Sequence, residues 1–401
     1  MEKVYRLKDK GIAPFFVQLL IISLCFGGFY LNVGFALKPY IVLTFFNILL
    51  LINIKRFSKF LPFEKLMMFF LLVYCASALQ FNYPEKHLRF IFAVFIILLF
   101  YFSTRGLISL CKIEELQRII SISGIIGSSA SLLYYLIGLI ETGMNFYGNG
   151  VIYHGLMIDR SVPRLIGTAS SDPNIFVLFM TLYFFYYLYN ISTTRNKIGF
   201  LLTTMCIVLT FSRGAYIGIV ITILLMIIIR DKRKAKLKNL FTIFLIFIGI
   251  GCVTTLFGIN FMSFIGDRFS NIANDEGSGR ITLWENAIET FVNNPILGIG
   301  LNGTLDYSAI NYGSSVYIHN TMLEVLSEAG VIGFIAFIIF WISILLFCIR
   351  LYKNNRETKY LLAAFVATFI QMLSLSILLN EMFYLMLLLL YRYSKEIVKN
   401  K

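Results

Sequence analysis

Charge is what this sequence has least of. Of 401 residues only 14% are Asp, Glu, Lys or Arg, against 58% hydrophobic, with 40 Phe and 23 Tyr. Mean hydropathy is +0.80. A water-soluble fold has nowhere to hide that much apolar surface. Soluble globular classes are therefore excluded, and the chain reads as an all-α polytopic membrane protein. The six cysteines, at positions 25, 75, 111, 206, 252 and 348, lack C-x-x-C spacing and lie mostly in apolar runs. They read as small buried hydrophobes, with no disulfide framework and no metal site. Internal repeats and low-complexity tracts are absent, so residues 1–401 read as a single transmembrane domain. No small-residue cleavage pattern accompanies the first apolar run, which exceeds a signal-peptide core and is expected to remain as a span.

Twelve apolar runs are long enough, or nearly so, to cross a bilayer core of roughly 30 Å. They fall near 12–33, 39–54, 63–81, 88–104, 119–140, 173–190, 197–212, 214–230, 240–262, 320–348, 359–377 and 379–394. With the N-terminus in the cytoplasm and the spans alternating, 27 Lys and Arg fall inside, including the run RDKRKAKLK at 230–238. Only eight fall outside: Lys38, Lys86, Arg89, Arg160, Arg164, Arg213, Arg268 and Arg280. The asymmetry predicts about twelve transmembrane helices with both termini cytoplasmic. It also accounts for the net charge of +14 without nucleic acid. Two outer loops are long, 141–172 and 263–316, and the larger is expected to carry a short amphipathic helix.

Positive charge outside runs against the topology rule and asks for compensation. Arginine is the side chain suited to bidentate phosphate contact. Arg213 lies in TFSRGAYIG, a turn of almost no length between two spans, where an ionisable group suggests function over a snorkelling anchor. Arg164 precedes Gly167 and SSDP (170–173), which read as a turn and a helix N-cap with Pro at the first position. Arg160, in the same loop, carries less weight. Arg280 stands before Thr282-x-x-Glu285, read as a capping box. Trp284, Ala287, Ile288 and Phe291 follow at helical spacing, which predicts an amphipathic helix on the outer face, with Arg280 at its N-terminus beside Gly277 and Gly279. The bland alternative pairs Arg280 with Asp275 or Glu276. GIGLNG at 298–303 matches a dinucleotide pattern but lacks its strand–helix setting, so it reads as a tight turn.

In VYIHNTMLEVLSEAGVIG (316–333), Thr321-x-x-Glu324 reads as a second capping box, which gives Glu324 a structural role. Glu328, one turn deeper on the same face, needs a buried partner or a cavity. His319 stands at the helix mouth. His319, a buried carboxylate and outward arginines together point to a reaction site. His87 and His154 lack such company and read as structural.

RLIGTASSDPN (164–174), FSRGA (211–215), GRITLWENAIETFVNNPILGIGLNG (279–303) and HNTMLEVLSEAGVIGF (319–334) resemble, in order and spacing, the O-antigen ligase and Wzy-type polysaccharide polymerase superfamily over about residues 160–340. The resemblance implies a metal-independent, cofactor-free glycosyltransferase of the bacterial inner membrane, acting at the outer leaflet. Its substrate is a glycan on undecaprenyl pyrophosphate. Arg164, Arg213 and Arg280 are expected to hold the pyrophosphate, and His319 to act on the acceptor hydroxyl or the leaving phosphate. The expected catalytic set is His319, Arg280, Arg213 and Glu328. Asp306, Tyr312, Tyr317 and Trp284 are candidates for glycan contact. The leading expectation is a polymerase of lipid-linked repeat units, with a modest outer loop in its favour, and a flippase and a chain-length regulator as companions. The rival is a ligase passing the glycan to lipid A core or protein. A flippase or transporter would instead place charges in the central spans of two symmetric halves.

Overall fold

The computed structural model describes residues 11–51, 59–80, 82–229, 233–257, 280–313 and 315–399. The expected features at Arg268, Asp275, Glu276, Gly277 and Gly279 lie outside them. Each of the twelve apolar runs carries a helix. In chain order these are α1 (Ile12–Leu24), α2 (Pro39–Leu51), α3 (Pro62–Ala76), α4 (Pro84–Ile108), α5 (Ile113–Glu141), α6 (Pro173–Tyr189), α7 (Thr194–Leu209), α8 (Arg213–Ile228) and α9 (Arg233–Leu256). Next come two outer-loop helices, α10 (Arg280–Asn293) and α11 (Thr304–Tyr312), then α12 (Thr321–Asn354), α13 (Lys359–Gln371) and α14 (Glu381–Lys399). Four segments are long and apolar enough to cross a membrane unaided: Pro62–Gln80, α4, α5 and α12. The chain is a helical membrane protein.

At the centre stands α6. Its residues from Phe176 to Leu188 are all buried, because FVLFMTLYFFYYL is apolar on every side and packs against α7 and α13. At one end of the bundle Arg105 donates to both Glu64 oxygens (2.6 and 3.0 Å) and to the Lys59 carbonyl (2.9 Å), while Tyr101 donates to Glu64 Oε1 at 2.8 Å. Loops expected inside thus meet one another, as do Arg392 and the Cys111 carbonyl at 2.8 Å. At the opposite end the loops expected outside meet: Lys38 pairs with Glu381 at 2.6 Å and Lys86 approaches Asp306 at 3.9 Å.

The expected loops contain structure that the apolar pattern does not reveal. Loop 141–172 folds into an antiparallel sheet of β1 (Val151–Tyr153), β2 (Leu156–Asp159) and β3 (Val162–Leu165), in that order. Arg160 and Ser161 (φ 51° and 60°) form the two-residue turn between β2 and β3. Arg160 is therefore a hairpin tip, whereas Arg164 lies on a strand. The first apolar run also stops short, at Leu24. Gly27 and Gly28 bring the chain against loop 168–169, with the Gly28 N–H donating to the Thr168 carbonyl at 2.9 Å. A Cβ at Gly28 would stand 2.8 Å from that oxygen, so only glycine allows the approach.

Candidate active site

The long helix α12 is broken at Gly330 (φ 61°, ψ −163°). The GIGLNG turn fills the break. Ile299 N–H donates to the Ser327 carbonyl (2.9 Å), Gly300 N–H to the Glu328 carbonyl (3.0 Å), and Val331 N–H to the Pro295 carbonyl (2.8 Å). These bonds satisfy the backbone groups that the break frees, as irregular chain within a membrane protein requires. A Cβ on Gly298 would lie 2.4 Å from the Glu328 carbonyl carbon, and one on Gly330 would lie 2.3 Å from the Ile296 oxygen. The glycines therefore allow the tight turn expected from the sequence and, beyond it, the close approach of that turn to α12.

Glu328, expected in the chemistry, is fully buried with both oxygens engaged. Asn302 N–H (2.9 Å) and the Tyr74 hydroxyl donate to Oε2; Thr304 N–H (3.4 Å) and its hydroxyl (2.9 Å) donate to Oε1. This carboxylate clamps the GIGLNG loop and the start of α11 to α12, and it does not lie open to a substrate. Glu324 also departs from its expected role. The cap of α12 is Asn320, whose side chain accepts from Met322 N–H (3.0 Å) and Leu323 N–H (3.2 Å). Thr321 instead bonds the Leu375 carbonyl through its hydroxyl at 2.6 Å. Glu324 is thereby released from capping and turns toward a cavity.

His319, one residue before the cap, has φ 53°. A non-glycine residue in the left-handed region is uncommon, and such outliers gather at functional sites. Trp284 Nε1 donates to the Ile318 carbonyl at 3.2 Å and fixes the approach to it from α10. Burial, then the nearby Arg280 guanidinium, hold the His319 imidazole below the usual histidine value, with Asp172 pulling the other way. The imidazole is therefore neutral near pH 7 and able to accept a proton.

The described part of α10 begins at Arg280, so Thr282 already lies inside the helix and is not its cap. Burial lowers the Arg280 pKa, Asp172 opposes, and the like charge of Arg164 adds to the lowering. Arginine remains protonated through such shifts. Arg164 donates to the Thr210 carbonyl (2.9 Å), Asp159 (2.8 Å) and Asn174 Oδ1 (3.2 Å). The Ser212 hydroxyl donates to the same Asn174 oxygen at 2.7 Å, one residue before Arg213 at the start of α8. Phe211, with φ 50°, makes the sharp break between α7 and α8 that brings Arg213 to this end.

The structure thus gathers Arg164, Arg280 and His319 around Asp172, with Arg213 at an adjoining helix start. Asp172 and Asn174 are additions to the expected set. The SSDPN signal that marks them was legible only as punctuation, and Asp172 does cap α6 (Asn174 N–H 2.6 Å, Ile175 N–H 3.2 Å). Of the glycan candidates, Tyr317 is exposed and its ring lies 6.3 Å from that of His319. Trp284 supports the His319 segment. Tyr312 ties to Thr290 (3.3 Å) and to the Asn286 carbonyl (3.2 Å), and Asp306 faces Lys86. These three brace the outer loop. His87 (Nδ1 to the Leu301 carbonyl, 2.5 Å) and His154 (to Glu141, 3.0 Å) are structural, as expected. Among the described residues no cluster of His, Cys, Asp and Glu is arranged to hold a metal ion.

Residues 198–338 match the family model described as O-antigen ligase. That segment includes Arg213, Arg280, His319 and Glu328, while Arg164 and Asp172 precede it. An uncharacterized protein of Haemophilus influenzae is 26% identical over 215 residues, which is 48% of this chain and 53% of that protein. The ComP-specific O-oligosaccharyltransferase of Acinetobacter baylyi is 27% identical over 251 residues, covering 58% of this chain and 43% of the relative. The chain spans about half the length of the curated relatives it matches. These similarities support the ligase-type alternative better than the polymerase expectation.

Proposed function

We propose that this protein, whose residues 198–338 match the O-antigen ligase family model, is a ligase-type oligosaccharyltransferase. It moves a glycan from a polyprenyl pyrophosphate to a hydroxyl on a separate acceptor, at the outer end of the bundle, with both termini on the cytoplasmic side. One observation carries this reading: Arg164, paired with Asp159, and Arg280, facing Asp172, stand beside each other and beside a His319 whose backbone is held in the left-handed region. An anion between the guanidiniums relieves their repulsion, and a pyrophosphate suits bidentate contact. In the reaction the acceptor oxygen attacks the anomeric carbon. The bond from that carbon to the pyrophosphate oxygen breaks, the lipid pyrophosphate leaves with the electron pair, and the hydroxyl proton passes to His319. Arginines fixed in advance stabilise the charge that develops on the leaving group.

An apolar cavity of about 570 Å³ between α5, α7 and α9 supports a lipid-linked donor. Its upper wall includes Tyr135, whose hydroxyl donates to the Pro163 carbonyl next to Arg164 (2.9 Å), and Leu209, next to the Thr210 that binds Arg164. A polyprenyl chain lying there would end at the arginines. A flippase would have to deliver this donor to the outer face; a chain-length regulator belongs with the polymerase reading. The test is incubation of the purified chain with a single lipid-linked oligosaccharide as the sole glycan. No ladder of multiples is expected; a ladder would establish a polymerase.

A further inference from the structure

A second cavity, of about 510 Å³, adjoins the site and shares no lining residue with the apolar groove. Its lining mixes apolar and polar groups: Glu324 and Ser376, the Lys38–Glu381 pair, the Ser170–Ser171 turn and Tyr317. Two of these walls touch residues already placed at the site. Tyr317 is in ring contact with His319, and Ser171 precedes Asp172. Within the cavity wall, Glu324 Oε2 and the Ser376 hydroxyl are buried beside one another, and neither finds a further partner among the described residues. Buried polar groups are ordinarily paired, and each exception calls for a cause.

The scaffold holds these groups in place. Thr321 N–H donates to the Met372 and Leu375 carbonyls (3.0 and 3.1 Å), and Ile377 N–H donates to the Thr321 hydroxyl (3.1 Å). The chain around Ser376 is therefore pinned to the first turn of α12, one turn from Glu324. Lys38 is engaged by Glu381 at 2.6 Å, so the cavity's described lining holds a second carboxyl and no surplus cation. Such a lining disfavours an anion. It suits a ligand with several hydroxyl donors and no charge.

We propose that this cavity binds an uncharged sugar ring, with Glu324 and Ser376 as its hydrogen-bonding floor and one hydroxyl directed past Tyr317 toward His319. The inference rests on the transferase reading and adds where a sugar sits. Two sources share this chemistry, the first sugar of the donor and a sugar of the acceptor; we assign it to the acceptor, because the arginines and the separately lined apolar groove already account for donor phosphate and lipid.

The experiment uses the full chain in nanodiscs and reads thermal stabilisation. The probes are N-acetylglucosamine, galactose and glucose, undecaprenyl pyrophosphate, and undecaprenyl-pyrophosphate-linked N-acetylglucosamine. At least one free sugar should stabilise the protein at millimolar concentration. Glu324→Gln and, separately, Ser376→Ala should weaken that response about tenfold or more, with undecaprenyl pyrophosphate binding retained. Arg280→Ala should show the reverse pattern. No response to any sugar, or an unchanged response in both cavity variants, overturns the proposal. A sugar response abolished by saturation with the sugar-bearing lipid overturns the acceptor assignment and gives the cavity to the donor. A wild-type protein that binds sugar but not undecaprenyl pyrophosphate leaves the sugar site standing and removes the donor reading.

Discussion

In the proposed reaction His319 takes the hydroxyl proton, and its setting makes a directional statement about pH. Burial and Arg280 place its pKa below the ordinary histidine value of about 6.5. The neutral, proton-accepting form therefore persists below that pH and is lost only on further acidification. The acid limb of the transfer rate should lie below pH 6.5. In Arg280→Lys, which keeps a charge but gives up the planar fork, the rate should fall with little movement of the limb; in Arg280→Ala the limb should move up. A pH–rate profile of the two variants checks this, and a limb at or above pH 7 in the wild type would remove His319 as the base. Glu328 makes the contrasting case. Glu328→Ala leaves four donors, from Asn302, Thr304 and Tyr74, facing a void, a loss of about 3 kcal/mol or more. The cost should appear as a lowered thermal midpoint, whereas His319→Ala should unfold at the wild-type temperature.

At the scale of elements, the broken helix α12 and the GIGLNG turn form one unit. Gly298→Ala and Gly330→Ala each place a Cβ within 2.5 Å of backbone, so the turn must withdraw from the break and expose freed backbone groups. Reduced yield of folded protein in detergent, by size-exclusion chromatography, is the expected result. The buried Glu64–Arg105 pair joining α3 and α4 behaves similarly. Glu64→Ala strands a guanidinium that is only 3% exposed, at a cost of about 3–5 kcal/mol; an unshifted thermal midpoint would contradict the pair's role. The helices were legible in the sequence because apolar length is a strong signal. The sheet at 151–165 was not, because its strands are three or four residues long and its turn lacks the usual Asn-Gly. The two capping boxes misled for a common reason. The Thr-x-x-Glu spacing is satisfied equally by a helix already under way at Thr282 or by one capped by the preceding residue, Asn320. Arg164, Arg280 and His319 were identifiable as unusual ionisable groups in a membrane chain, but Asp172 beside them emerged only when loops distant in sequence came together.

At the scale of the whole molecule, charge sorts to the two ends of the bundle. One end is closed by satisfied pairs such as Glu64–Arg105. The other gathers like-charged arginines, a strained histidine and two cavities of opposite character, one apolar and one polar. That division suits a reaction between a lipid-borne donor and a polar acceptor. The most direct measurement is release of undecaprenyl pyrophosphate from a radiolabelled lipid-linked oligosaccharide by the purified chain in nanodiscs, for wild type, Arg280→Ala and His319→Ala at matched thermal midpoints. The account predicts acceptor-dependent release by the wild type and a loss of at least about a hundredfold in each variant. Release at wild-type rate by either folded variant would contradict it.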